Sequence, residues 1–193
     1  MPITLNGSGT VTGISTGGIS DAKAVADASM PAGSVLQVKS VTKTDTSSVT
    51  TNATPQDISG LSITITPRDT SSKFIITGKV QMSLQYATTG NIHIKVNDLE
   101  VGTAPSSFSR PVAHAGTGYL GVGQQYGCYS MAVDMESTSS TGLQAGSNTI
   151  KLQMSQPDTT SGHTLYINRS QTDPNGVAGP RYVSTLTVYE VAG

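Results

Sequence analysis

The stretches Leu61-Ser-Ile-Thr-Ile-Thr66 and Lys73-Phe-Ile-Ile-Thr-Gly-Lys-Val-Gln-Met-Ser-Leu-Gln-Tyr86 decide the fold class of this chain. Apolar and polar residues alternate along both, and in the second the alternation runs through Val80, Met82 and Leu84. A period of two is typical of a β-strand that buries one face. The segment between them, Pro67-Arg-Asp-Thr-Ser-Ser72, has the composition of a turn. The sequence therefore predicts two half-buried strands joined by a turn.

Similar patterns recur along the chain and predict eight to ten strands in one unit, which is the number expected for a jelly-roll-like β-sandwich. No helix of ordinary length fits after Gly33, and no repeat of fixed period is visible. The fold class expected is all-β. The further strands are predicted at Val35–Val41, Asn91–Val101, Tyr119–Glu136, Asn148–Gln156, His163–Arg169 and Val183–Val191.

The composition agrees with this fold and excludes several functional classes. The 193 residues include 27 Thr, 25 Ser and 21 Gly, only 12% are charged, and the net charge is −1. A nucleic-acid-binding protein would show a clustered basic face, and no apolar run is long enough for a membrane span. The N-terminus lacks the pattern of a signal peptide. Because few charges protect the surface against association, we expect the chain to function inside an assembly.

The first 33 residues differ from the rest and predict an extended N-terminal arm. Its single apolar residues are too sparse to form a core, so we expect them to dock on a partner surface. One short helix is predicted from Ser20 to Ser29, with Ser20 as its N-cap. The predicted domains are thus an arm at 1–33 and a sandwich head at 34–193. The docking residues expected in the arm are Ile3, Leu5, Val11, Ile14 and Ile19.

Motifs for catalysis and metal binding are weak in this sequence. Asp134 and Glu136 would share one strand face, but no opposing acid is visible for glycoside cleavage. His93 and His163 lack partners at metal-ligand spacing, although in a three-fold assembly either could be presented three times at the axis. Cys128 cannot form an internal disulfide and is expected to be buried and inert. We predict a non-enzymatic protein without cofactor or resident metal.

The segment from Gly102 to Gly118 has no periodicity and offers the best candidates for recognition. Phe108, Arg110 and His114 lie in it, and Tyr119 follows directly. An aromatic ring and a guanidinium on a surface of small residues could contact a sugar or a peptide. The alternative is that Phe108 packs inside the sandwich or at a subunit interface.

Several stretches together resemble the small fibre proteins of tailed bacteriophages, especially those of marine and cyanobacterial phages. The resemblance extends along the whole chain through short motifs. They are Ile3-Thr-Leu-Asn-Gly-Ser-Gly-Thr-Val-Thr-Gly-Ile14, Pro31-Ala-Gly-Ser-Val-Leu-Gln-Val38, Asp57 to Pro67 with Ser72-Lys-Phe-Ile-Ile76, Thr164-Leu-Tyr-Ile-Asn-Arg-Ser170 and Leu186-Thr-Val-Tyr-Glu-Val-Ala-Gly193.

This resemblance implies a homotrimer on the surface of a virion. It implies that the arm docks on other virion proteins of the tail, neck or capsid, and that the head resembles the jelly rolls of tumour-necrosis-factor-like trimers. A host glycan or protein would be the external partner. Two alternatives stay open: a capsid decoration fibre without a receptor role, and a polysaccharide depolymerase.

Overall fold

The computed structural model describes most of the chain from residue 30 onward and two short segments before it. The described residues are 4–5, 11–12, 30–51, 53–85, 89–105, 112–117, 128–137, 142–157, 163–177 and 179–193. They contain β-strands and turns and no helix, so the prediction of an all-β protein is confirmed for this part of the chain.

Thirteen strands are formed within these ranges. They are β1 (Thr4–Leu5), β2 (Val11–Thr12), β3 (Val35–Lys43), β4 (Ser47–Thr51), β5 (Gln56–Ile65), β6 (Lys73–Leu84), β7 (Asn91–Val96), β8 (Leu99–Val101), β9 (Ala115–Gly116), β10 (Tyr129–Ser137), β11 (Asn148–Ser155), β12 (His163–Ile167) and β13 (Ser184–Val191).

Two antiparallel sheets account for all strands except β1 and β2, which pair with each other. The six-stranded sheet has the order β3-β13-β6-β12-β4, and β10 pairs with the other edge of β6. The five-stranded sheet has the order β5-β11-β7-β8, and β9 pairs with β7. Strands distant in sequence are therefore neighbours in both sheets.

The alternating residues that define the strands fill one core between the two sheets, in a sandwich-like arrangement. Phe74, Ile76 and Val80 enter it from β6, and Ile63 and Ile65 enter it from β5; all are buried. Fully burying a side chain of this size stabilises the folded state by about 1.5–3 kcal/mol. The alternation in the sequence predicted these inward faces correctly. A shift of one residue in strand register would turn every one of these side chains to the outer face.

Side chains from β3 close one edge of the sandwich. The amide of Gln37 donates a 2.6 Å hydrogen bond to the carbonyl of Thr66, and Lys39 Nζ donates one of 2.7 Å to the carbonyl of Thr64. Thr64 lies near the end of β5, in the opposite sheet, and Thr66 directly follows that strand. Polar contacts therefore join the sheets where the apolar core ends.

The single strand predicted over Asn91–Val101 is wrong, because the chain turns in its middle. Asn97 and Asp98 have positive φ angles of 50° and 65°, which form the two-residue turn between β7 and β8. Two positive φ values in succession are typical of the type I′ turn, which matches the twist of a hairpin. The segment 102–118, predicted to be irregular, also contains the short strand β9.

The last long strand is interrupted by an excursion of the chain from Asn168 to Ser184. Asn168 is fully buried at the point where the chain leaves β12, and its φ is 61°. Its side-chain amide donates hydrogen bonds to the carbonyls of Lys43 (2.8 Å) and Asp45 (3.0 Å), and its side-chain oxygen accepts one from Ser184 Oγ (2.7 Å). Asn168 therefore joins β12 to β13 and to the bend between β3 and β4. The sequence did not predict β4.

Candidate functional site

The recognition segment is described only in part, and His114 is the one predicted contact residue inside the described ranges. Its Nδ1 donates a hydrogen bond to the carbonyl of Gly102 (3.0 Å), and its Nε2 accepts one from the backbone N–H of Asp134 (3.2 Å). Both ring nitrogens are thus used to tie the segment before β9 to β8 and β10. Phe108, Arg110 and Tyr119 lie outside the described residues, and their role as contacts stays a prediction.

Gly102 makes this position of the His114 ring possible. Its φ is +66°, and a Cβ atom at this position would lie 2.8 Å from His114 Nδ1 and 2.9 Å from the sulfur of Met135. Both the backbone conformation and the available space therefore require glycine at the start of the segment.

The predicted docking arm also lies largely outside the described residues. Ile3, Ile14, Ile19 and the predicted helix from Ser20 to Ser29 are not described. Leu5 and Val11 are directly opposite each other in the β1–β2 pair. Docking through these residues stays a prediction.

A polar cluster that sequence reasoning missed lies on the outer face of the five-stranded sheet. His93 is 3% exposed, with its Nδ1 2.6 Å from Oε1 of Glu100 and its Nε2 2.7 Å from Oγ of Ser155. Lys95 Nζ lies 3.3 Å from Oε2 of the same glutamate. Three strands contribute to the cluster, since His93 and Lys95 lie on β7, Glu100 on β8 and Ser155 on β11.

The hydrogen bonds of this cluster define its electrostatics. A carboxylate can only accept, so Nδ1–H of His93 donates to Glu100, while Nε2 is hydrogen-bonded to the Ser155 hydroxyl. Burial raises the pKa of the Glu100 carboxyl, but the hydrogen bond and charge of His93, followed by those of Lys95, outweigh it and lower the pKa below its usual range. Glu100 is therefore held as a carboxylate.

The connectivity from Ser155 through His93 to Glu100 has the order of a nucleophile, a base and an orienting acid. A hydrolase also needs its nucleophile open to substrate and donors for an oxyanion. Ser155 is 2% exposed and lies within a paired strand. In the folded body the cluster can therefore fix β8 to β7 and β11, but it does not present the hydroxyl to a substrate.

The other predicted chemical sites can be compared directly with the structure. Asp134 and Glu136 share the exposed face of β10 as predicted, and the residues opposite them on β6 are Thr77 and Ile75. Glu136 instead pairs with Lys73 Nζ at 2.9 Å. Among the residues that the structure describes, no group of three or more His, Cys, Asp or Glu side chains could hold a metal ion.

Cys128, expected to be buried and inert, is half-buried directly before β10. Burial raises the pKa of this thiol to about 11, although a backbone hydrogen bond at Tyr129 acts in the opposite direction. The fraction of reactive thiolate at neutral pH is therefore very small.

The excursion from Asn168 to Ser184 presents an arginine pair on the outer face of the six-stranded sheet. The guanidinium of Arg169 lies 4.3 Å from the ring centroid of Tyr166. The backbone carbonyl of Arg169 accepts a hydrogen bond from Ser83 Oγ (2.9 Å). Asp173 pairs with both Arg169 and Arg181. Asp173 therefore links the beginning of the excursion to the part that returns to β13.

A shallow cleft of about 210 Å³ lies between the β5–β6 turn and the loop before β11. Asp69 is its charged residue, and hydrogen bonds from the Ser71 hydroxyl and backbone N–H lower the pKa of that carboxyl. The lining residues are Pro67, Asp69, Thr70, Leu143, Gln144 and Ala145. A single carboxylate already bonded to its own turn gives this cleft no catalytic pair.

Comparison with known proteins gives structural similarity but no sequence relative. The sequence matches no protein-family model and no curated protein. A structure of the Gx strain of infectious bursal disease virus is similar over 81% of this chain, with 16% identity and a TM-score of 0.39. A structure of T=1 particles derived from infectious bursal virus is similar over the same share, with 14% identity and a TM-score of 0.41. This chain spans 37% and 36% of those two chains.

Within the described ranges, the structure contains no helix with the length and hydropathy needed to cross a membrane.

Proposed function

We propose that this chain is a non-enzymatic structural protein of a phage particle, a short homotrimeric fibre on the virion surface. Residues 1–33 act as the arm that docks on tail, neck or capsid proteins. Residues 34–193 form the head, which contacts a glycan or protein of the host surface. The proposal requires no cofactor and no catalytic residue.

The observation that carries this proposal is the order of the strands. The bent pair β3 and β4 counts as the first long strand, and the interrupted pair β12 and β13 counts as the last. The long strands are then numbered along the chain, with the two-residue β9 left aside. In one sheet they follow the order first, last, third and sixth. In the other sheet they follow the order second, seventh, fourth and fifth. This order supports a jelly roll, an architecture used in viral capsid domains and lectins.

The point where the N-terminal segment joins the head supports the division into arm and head. The backbone N–H of Gly33 donates a hydrogen bond to the carbonyl of Ala192 (2.9 Å), and the N–H of Ala192 donates one to Ser34 (2.9 Å). The first strand of the sandwich therefore begins beside the end of its last strand, β13. An arm at the end of a compact head is the arrangement that a fibre requires.

Host contact through the predicted segment is tested with particles that carry Phe108→Ala and Arg110→Ala together. Deletion of the whole segment is avoided, because His114 is hydrogen-bonded to β8 and β10. Val177→Ala is the matched control, since Val177 is fully exposed in the excursion after Asn168. We expect a loss of adsorption to host cells for the double variant alone. Unchanged adsorption with a weakened shell would favour the decoration fibre instead.

The depolymerase alternative has its own test. Host envelope polysaccharide is incubated with the protein and with a variant carrying Asp134→Asn and Glu136→Gln. We expect no fragment release from either sample, because the two acids face Thr77 and Ile75 rather than another carboxylate. Fragments produced by the wild type and abolished in the variant would establish the enzyme and overturn the structural role.

A further inference from the structure

The shallow cleft between the β5–β6 turn and the loop before β11 has two walls that are held by buried side chains. On the turn, the fully buried Glu190 accepts hydrogen bonds from the backbone N–H groups of Arg68 and Asp69. On the loop, the fully buried Asn148 accepts a hydrogen bond from the N–H of Gln144 and donates one to its carbonyl, both 2.8 Å long. Because both walls are held from within the sandwich, a ligand in the cleft would not have to order them.

The cleft forms where β11 pairs with β5. Asn148, the first residue of β11, lies opposite Ile65, the last residue of β5, so the loop before β11 is next to the turn after β5. Leu143 from the loop and Pro67 from the turn give the cleft an apolar part, and Leu143 also packs against the core. The volume of about 210 Å³ is below the roughly 300–1,000 Å³ of pockets for drug-sized ligands. The cleft therefore suits one small, ring-sized group.

Three polar side chains at the cleft keep hydrogen-bonding capacity that the described part of the chain does not use. Asp69 Oδ1 accepts bonds from the backbone N–H (2.7 Å) and the hydroxyl (2.6 Å) of Ser71, and no described residue bonds to Oδ2. The exposed side chains of Thr70 and Gln144 also form no hydrogen bond with a described residue. A carboxylate only accepts, whereas a hydroxyl and an amide both donate and accept. The cleft therefore combines free acceptors and donors with an apolar part.

The charge and the mixture of these groups decide between classes of ligand. The hydrogen bonds from the Ser71 hydroxyl and backbone N–H lower the pKa of the Asp69 carboxyl, so the cleft carries a negative charge that disfavours phosphates and acidic sugars. An extended peptide would need a sheet edge or a long groove, whereas this cleft lies between a turn and a loop. A neutral sugar ring offers adjacent hydroxyls that donate to a carboxylate, and C–H groups that pack on apolar side chains.

We propose that this cleft binds one neutral sugar residue of a glycan, with Asp69 Oδ2 as the acceptor for its hydroxyls and Thr70 and Gln144 as further partners. The inference deepens the proposed function, because it rests on the contact between the head and a host glycan and assigns that contact to described residues. It requires neither the arm nor a homotrimer. Binding at one shallow cleft is weak, and many copies on one particle would strengthen it.

Saturation-transfer difference NMR on the full-length protein tests the site. The probes are the methyl glycosides of glucose, galactose and mannose, each at about 10 mM, since one shallow site is expected to bind in the millimolar range. The variant is Asp69→Asn, which keeps an oxygen for the hydrogen bonds from Ser71 but replaces Oδ2 by an N–H donor. Asp57→Asn is the matched control, because it makes the same change at an exposed carboxylate near the other end of β5.

We expect at least one of the three glycosides to bind the wild type. Asp69→Asn should weaken that binding about tenfold, as expected for the loss of one charge-assisted hydrogen bond, while Asp57→Asn leaves it unchanged. Circular dichroism checks that both variants fold. If Asp69→Asn does not fold, Gln144→Ala replaces it, because the backbone groups of Gln144 that bond to Asn148 stay in place.

The outcomes separate this inference from the proposed function. A wild type that binds none of the three glycosides overturns the inference, and so does equal binding by the wild type and Asp69→Asn. Neither result bears on the fibre, whose host contact is tested by adsorption of particles with Phe108→Ala and Arg110→Ala. A chain that binds a glycoside through the cleft but stays monomeric supports the site and contradicts the proposed homotrimer.

Discussion

The carboxylate of Glu190 accepts a 2.6 Å hydrogen bond from the backbone N–H of Arg68, which ties the C-terminal strand to the turn between β5 and β6. The same oxygen accepts a second bond from the N–H of Asp69 at 3.2 Å. The other oxygen accepts one from the side-chain amide of Gln37 at 2.5 Å. Glu190 is fully buried, so three elements from both ends of the chain converge on one carboxylate.

Replacing Glu190 should therefore destabilise the fold strongly. Glu190→Ala leaves the N–H groups of Arg68 and Asp69 without their acceptor, and we expect a loss of about 3 kcal/mol in the free energy of unfolding. Glu136→Ala is the control, because its ion pair is exposed and should contribute less than about 1 kcal/mol. Urea unfolding followed by circular dichroism measures both. Equal effects would show that the turn is not held by Glu190.

Asn168 should be as sensitive as Glu190, and for a similar reason. Asn168→Asp replaces the amide that donates to the carbonyls of Lys43 and Asp45 by an oxygen that repels them. We expect a loss of roughly 2–4 kcal/mol, larger than for Asn168→Ala, since the alanine only removes the donor. Asn175→Ala, at an exposed position of the excursion, should change stability by less than about 0.5 kcal/mol. If urea unfolding shows that Asn168→Asp destabilises the protein less than Asn168→Ala does, the result would contradict the observed hydrogen bonds.

The polar cluster around His93 predicts how stability depends on acid. The folded-state pKa of Glu100 is lowered, so its contribution is present above the unfolded pKa and is lost as pH falls through the folded pKa. As the pH is lowered from 5 to values near or below the ordinary glutamate pKa of about 4.3, we expect the urea midpoint of the wild type to decrease. Glu100→Gln should lower the midpoint at pH 7 and flatten this dependence.

Ser155→Ala is the control for the acid dependence. It removes the hydroxyl at Nε2 of His93 but leaves the contact between His93 and Glu100 in place. We expect it to lower the midpoint at every pH while keeping the slope of the wild type. If Glu100→Gln keeps that slope as well, Glu100 does not contribute to the acid sensitivity.

Cys128 should be protected from thiol reagents in the folded protein. With a pKa of about 11, roughly one thiol in 1,000 is ionised at pH 8, against about one in four for an unperturbed cysteine. We expect Ellman's reagent to react on the order of 100-fold more slowly in buffer than in 8 M urea, where the unfolded thiol is exposed. The folded-state rate should keep rising up to about pH 11. Equal rates in buffer and urea would contradict the burial of this thiol.

Much of the fold could be predicted because a period of two in hydrophobicity directly reports a buried strand face. Ile94 and His93 illustrate this: the alternation predicted opposite faces, and Ile94 is in the core while His93 lies on the outer face. The turn at Asn97 and Asp98 was missed, although two adjacent residues that tolerate positive φ were a usable signal.

The polar clusters could not be predicted from the sequence, because they depend on strand register. His93 and Ser155 are 62 residues apart and meet only because β11 pairs with β7 in one register. Glu190 and Arg68 are separated by 122 residues. No local pattern reports such partners. Glu190, which holds the β5–β6 turn, lies inside Leu186 to Gly193, one of the motifs that resemble phage fibre proteins.

The native mass of the full-length protein at micromolar concentration tests the central claim most directly. The proposed fibre predicts a particle of three times 19.8 kDa that persists on dilution, because the N-terminal arm requires partners to bury its apolar residues. A stable, folded single chain of 19.8 kDa under the same conditions would contradict the account.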